Sequence, residues 1–109
     1  MPFSHRFEAV EPTRAEVDSM PGCTVLEFGT PWCGFCQSSQ PLIESELSKM
    51  PSVRHLKIED GRGKRLGRSF RVKLWPTMIV LANGREVARV VRPEQSSALA
   101  DALAAGIST

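Results

Sequence analysis

Cys33 and Cys36 are separated only by Gly34 and Phe35 and preceded by Trp32, in a chain of 109 residues with three cysteines. An odd count leaves one thiol unpaired, so these are not the disulfide framework of a small secreted domain. In a reducing compartment a clustered pair is catalytic or metal-binding. At a helix start, the first sulfur lies near unpaired amides and the positive end of the helix dipole, which favour its thiolate. The second lies one turn on and can reach back to close a ring. Thiol-disulfide exchange then runs in two displacements. Cys33 attacks a substrate disulfide to form a mixed disulfide, and Cys36 resolves it, releasing reduced substrate and an oxidised pair. The rival chemistry is zinc, which needs about four N or S ligands. Beyond Cys33, Cys36 and Cys23 the chain offers only His5 and His55, with no second CxxC and no HxxxH, so no metal is expected.

This chemistry requires a strand that passes into a helix at the cysteines. Cys23 to Gly29, CTVLEFG, is β-branched and apolar apart from Glu27 and reads as a buried strand. After the pair, Leu42, Ile43, Leu47 and Met50 recur near helical spacing, and Pro51 stops the helix. Upstream, His5 to Val10 alternates as a short edge strand. Thr13 to Glu16 reads as a capping box for a helix reaching Met20, closed by Pro21-Gly22. Downstream, Val53 to Glu59 reads as a strand, 62 to 70 as a short weak helix, and Thr77 to Ala82 as a central strand. Asn83-Gly84 is a hairpin turn and Arg85 to Val91 its return strand. Pro93 is placed at N1 of a last helix, whose Leu99, Ala102, Leu103 and Ile107 face the core, with Gly106 near the end. The order β-α-β-α-β-α-β-β-α implies an α/β fold with a mixed sheet and helices on both faces. The cysteines fall at the carboxyl end of a strand, where open α/β sheets tend to place their sites.

Trp32-Cys33-Gly34-Phe35-Cys36 resembles the thioredoxin active-site motif, usually WCGPC. Pro41 resembles the family's helix-kinking proline, Trp75-Pro76-Thr77 its active-site proline loop, and Asn83-Gly84 its hairpin. The resemblance covers essentially the whole chain. It implies a single thioredoxin-like domain over residues 1–109 that reduces protein disulfides. The pair itself stores the electrons, so no bound cofactor is needed, and a flavin-dependent thioredoxin reductase recycles it. The resemblance makes Trp32, Gly34, Phe35, Trp75, Pro76 and Thr77 the substrate-facing residues, with Pro76 cis and the Trp75 backbone free to pair with an extended substrate. It gives Glu27 the place of a buried aspartate that accepts or relays the proton of Cys36, and Lys57 the place of the lysine paired with that carboxylate. Three features depart from the pattern: Phe35 replaces proline, Arg92 stands near where many members of the family have a glycine that lets substrates approach closely, and Cys23 is extra. Phe35 supplies an amide that proline lacks, which keeps an oxidase or isomerase as an alternative.

The remaining composition narrows the partners. Hydrophobic residues make up 41% and charged residues 24%, ordinary for a globular domain. The first residues, MPFSHRFEAVEP, contain no apolar run, so no signal peptide is expected; no stretch approaches membrane-spanning length. The expected setting is the cytoplasm, as a monomer. Net charge is +2, yet residues 62–73, RGKRLGRSFRVK, carry six basic side chains and no acidic one. The plain reading is a solvated face. A steering patch for an acidic partner or a docking face of a binding module is the sharper one. With Phe70 as the sole interleaved aromatic and no recognition motif, nucleic acid is not expected.

Overall fold

A computed structural model describes residues 3–108. Four strands, β1 (Cys23–Gly29), β2 (Arg54–Glu59), β3 (Thr77–Ala82) and β4 (Arg85–Val91), form one sheet in the order β2-β1-β3-β4. The helices are α1 (Arg14–Asp18), α2 (Gly34–Ser48), α3 (Leu66–Ser69) and α4 (Ser96–Ile107). β1 runs parallel to β2, as the α2 crossover requires, and antiparallel to β3; β4 returns antiparallel beside β3. β1 and β3 are covered on both faces, which is why they read as continuous apolar runs rather than alternating ones. On one face Val25, Met78 and Val80 pack with Ile43 and Leu47 of α2 and Leu99, Ala102 and Leu103 of α4. On the other, Leu26, Phe28, Ile79 and Leu81 pack with Val17 of α1 and with Leu66 and Phe70 at α3. The mixed sheet flanked by helices on both faces matches the expected fold class.

Local chemistry sets the ends of the elements. Thr13 and Glu16 form the expected capping box on α1. Asn83 and Gly84 have φ of 51° and 81°, the double positive that a two-residue hairpin turn needs. A Cβ on Gly84 would sit 2.0 Å from the Asp18 carbonyl oxygen, so no side chain fits there.

The structure corrects four expectations. The strand expected over residues 5–10 reduces to one bridge, Phe7 with Lys57, because His5, Arg6 and Glu8 to Val10 are exposed and only Phe7 turns inward. The helix expected over 62–70 spans only Leu66–Ser69, since positive φ at Gly61 and Gly63 excludes the preceding residues. The last helix starts at Ser96 with Gln95 as N-cap, not at Pro93. Arg92, at φ 49°, donates its amide to the Pro76 carbonyl, and this turn holds Pro93 outside the helix. Ile107 is half exposed; Gly106 takes the inward position instead, where a Cβ would meet Val80 and Cys23.

Candidate active site

β1 ends at Gly29, and four residues later Cys33 is the N-cap of α2, with φ −77° and ψ 120°. Cys36 is the N3 residue, and its amide donates to Cys33 Sγ at 3.2 Å. The spacing of the pair is therefore that of a side-chain cap. Cys33 Sγ satisfies one of the orphan amides at the helix start, a contact that a negative sulfur strengthens. Both thiols are free and buried. A Cβ on Gly29 would lie 2.5 Å from Cys36 Sγ and 3.9 Å from the Trp75 Cβ. The bare backbone at Gly29 is thus what admits the second sulfur.

Around the sulfurs the surface is aromatic. Trp32 and Phe35 are exposed, and Trp32 meets Trp75 edge-on with centroids 5.7 Å apart. The Trp75–Pro76 bond is cis. Thr77 is buried, and its hydroxyl donates to the Leu74 carbonyl. Arg92 joins the two sides of the site: its guanidinium lies 4.1 Å from the Phe35 ring centroid, and its Nε donates to the Trp75 carbonyl at 2.9 Å. The Trp75 backbone is thus less free than expected, because its acceptor already has a donor.

Beneath the pair lies a buried polar network. Glu27, on β1, is almost fully buried. Its Oε2 accepts from Gln40 Nε2 at 2.8 Å, and its Oε1 is 2.9 Å from His55 Nε2. His55 Nδ1 accepts the Ser4 amide at 2.8 Å, which puts the proton of the neutral ring on Nε2, pointing at Glu27. Gln40 Nε2 also donates to the Cys36 carbonyl, and Lys57 Nζ donates to Gln40 Oε1 at 3.1 Å. Burial pushes the Cys36 thiol up to about 12; the hydrogen bond and charge of Cys33 and the charge of Glu27 add to this, and the Thr30 amide opposes it. Burial also raises the Cys23 thiol. Among the described residues, no group of three or more His, Cys, Asp or Glu is placed to hold a metal.

The Thioredoxin family profile matches residues 9–105. Thioredoxin 2 from Pseudomonas aeruginosa PAO1, solved in its reduced form, superposes with a TM-score of 0.86 at 53% identity, covering 97% of this chain and 98% of that one. Thioredoxin from Chlamydia pneumoniae is 33% identical over 70 residues, 64% of this chain and 69% of the relative. Thioredoxin H-type 1 from Nicotiana tabacum is 34% identical over 67 residues, 62% of this chain and 53% of the relative, so the match spans about half of that longer protein. The chain belongs to the thioredoxin family. Thiol-disulfide oxidoreduction is the chemistry of that family, and the Cys33–Cys36 pair supplies the dithiol for it.

Against the thioredoxin expectations, the structure gathers Cys33, Cys36, Trp32, Gly34, Phe35, Trp75, Pro76 and Thr77 at one end of the sheet, and Glu27 directly below. It does not pair Lys57 with Glu27. In the β1–β2 register Lys57 stands opposite Glu27, yet its ammonium group reaches Gln40 and lies over the Phe7 ring at 4.7 Å. His55, two residues earlier on the same face of β2, takes the carboxylate instead. In the sequence His55 stands out only as a possible metal ligand, and neither Gln40 nor the bare backbone of Gly29 is marked as part of the site. Alternation places His55 on the same strand face as Lys57 but does not choose between them. Nothing in the sequence singles out Gln40 on the helix. Cys33 Sγ accepts from the Cys36 amide, and Phe35 meets Arg92 through its ring.

Proposed function

We propose that this protein reduces the disulfides of protein substrates as a single-domain monomer in the cytoplasm, and that a flavin-dependent thioredoxin reductase returns its dithiol. The observation that carries this reading is the capped pair, with Cys33 Sγ at the helix N-terminus and Cys36 enclosed behind it. Cys33 attacks one sulfur of the substrate disulfide and the other leaves as a thiol. Cys36 then attacks Cys33 Sγ, the second substrate thiol leaves, and the pair is oxidised by two electrons. A thiol near 12 is ionised to only on the order of one part in 10⁵ at neutral pH, so resolution needs help. Two sources support it. In the mixed disulfide Cys33 carries no charge, so its charge no longer opposes ionisation of Cys36. Glu27, held by His55 and Gln40, then serves as the proton acceptor for Cys36. Trp32, Gly34, Phe35, Trp75, Pro76 and Thr77 form the face that meets the substrate, with Lys57 acting on Glu27 through Gln40.

The test is reduction of insulin with dithiothreitol as electron donor, followed by turbidity. The wild type accelerates precipitation and Cys33→Ser with Cys36→Ser does not. In Cys36→Ser alone, Cys33 remains locked to its substrate, and mass spectrometry identifies the adduct. Recovery of adducts through Cys36 in Cys33→Ser, but none through Cys33, would reverse the assignment.

A further inference from the structure

We infer that the cleft beside Trp75 receives an acidic segment of the substrate protein that flanks the disulfide attacked by Cys33; this rests on the oxidoreductase reading above. The segment 62–73 reads in sequence as a solvated basic face. In the structure, Lys64, Arg68, Arg71 and Lys73 instead line one concavity of about 420 Å³ with Asp60 and Trp75. None of these four cations is in an ion pair among the described residues, whereas Arg14, Lys49 and Arg89 each have a carboxylate. Asp60 is the one carboxylate in the lining, and its Oδ2 accepts from Trp75 Nε1 at 2.9 Å. Three positive charges therefore remain uncompensated around a concave surface, which focuses their field outward.

The cleft is built rather than incidental. Arg71 sits at φ 59°, held by its amide on the Arg68 carbonyl, and the Val72 amide closes onto Gly67. A Cβ on Gly67 would lie 2.3 Å from Asp60 Oδ1, so glycine is what lets the wall close on the floor. Phe70, between Arg68 and Arg71, is pinned in the core against Phe28 and beneath the Arg14 guanidinium. Trp75 connects the cleft to the chemistry. One edge of its indole is fixed by Asp60, and its ring meets Trp32, the neighbour of Cys33. A chain crossing Trp75 places carboxylates on one side and its disulfide on the other. The reaction is unchanged: one substrate disulfide becomes two thiols as the Cys33–Cys36 dithiol becomes a disulfide.

The experiment measures single-turnover rate constants of pre-reduced protein with two cyclic disulfide peptides, one flanked by glutamates and one by glutamines, and with neutral dithiodipyridine. The glutamate peptide is expected to react roughly tenfold faster at low ionic strength, with the ratio approaching one in ~0.5 M NaCl. Arg68→Gln with Lys73→Gln lowers that ratio at least threefold. Arg62→Gln with Arg65→Gln, the same charge change outside the cleft, preserves it. Dithiodipyridine reacts equally with all three proteins. Equal rates for the two peptides overturn the proposal, as does equal loss in both paired variants, which marks a diffuse field. Inorganic phosphate that suppresses the glutamate peptide far beyond chloride at matched ionic strength marks a free-anion site and also overturns it. Wild-type protein inert toward both peptides and dithiodipyridine overturns the oxidoreductase reading itself, and the cleft proposal with it.

Discussion

Glu27 is a buried carboxylate with one partner on each oxygen, Gln40 and His55, and each partner is replaceable. Removing His55 leaves Oε1 buried without its partner. His55→Leu, close in volume, should cost about 2–3 kcal/mol, the range for a buried acceptor at a charged group left unmet. Urea denaturation measures it, and Glu27→Gln in the same background should recover part of the loss because an amide is cheaper to leave partly unmet than a charge. Glu27→Gln alone should lower the upper thiol titration from about 12, since the Glu27 charge is one of the groups that raise Cys36. It should also slow resolution of the mixed disulfide, because the proton acceptor is gone. A faster resolution would remove Glu27 from the mechanism. The carboxylate was legible in the sequence as the one charge inside CTVLEFG. Its partner was not, because a histidine and a lysine two apart on β2 are equally placed by alternation, and what holds the His55 ring toward Glu27, the Ser4 amide on Nδ1 and the stacked Phe3 ring, comes from far along the chain.

At the scale of elements, the junction between β1 and α2 was readable because each part has its own physical signature: an apolar β-branched run, then helical periodicity, with the cysteines between. The entry to α4 was not readable, because it depends on Arg92 adopting a positive φ that its side chain does not advertise. The close contact of α4 with the sheet was also hidden. Gly106 brings that helix down on Cys23 and Val80, where an added Cβ would lie 2.7 Å from Cys23 Sγ and 2.5 Å from Val80 Cγ1. Gly106→Ala gains up to about 1 kcal/mol of helix propensity, against strain of about 1–3 kcal/mol for an extra carbon in a packed core. Strain should win, because the atoms it meets belong to a buried β-branched valine and to the thiol packed beside it. The urea midpoint should fall, and Cys23→Ala should restore part of it in the double variant by clearing one of the two contacts. A double variant with purely additive losses would show that Cys23 and Gly106 do not share this space.

The whole molecule joins its redox state to its stability through Cys36. The folded thiol titrates near 12, above its ordinary value of 9.0. Below the ordinary value both folded and unfolded chains hold the proton, and the preference for the neutral thiol contributes fully. Between the two values the unfolded chain has lost its proton and the folded chain has not, so the unfolded state gains and stability falls as pH rises. The oxidised protein has no Cys36 thiol, so this loss is absent from it. Reduced wild type should therefore lose denaturation midpoint relative to oxidised wild type as pH rises from about 9 toward 12. Most of that slope should disappear from reduced Cys36→Ser, which keeps the Cys23 and Cys33 thiols and every other ionisable group. Parallel pH profiles for the reduced wild type and Cys36→Ser would mean that the folded thiol ionises near its ordinary value. Resolution by Cys36 would then need no base, and the buried carboxylate beneath it would lose its proposed task.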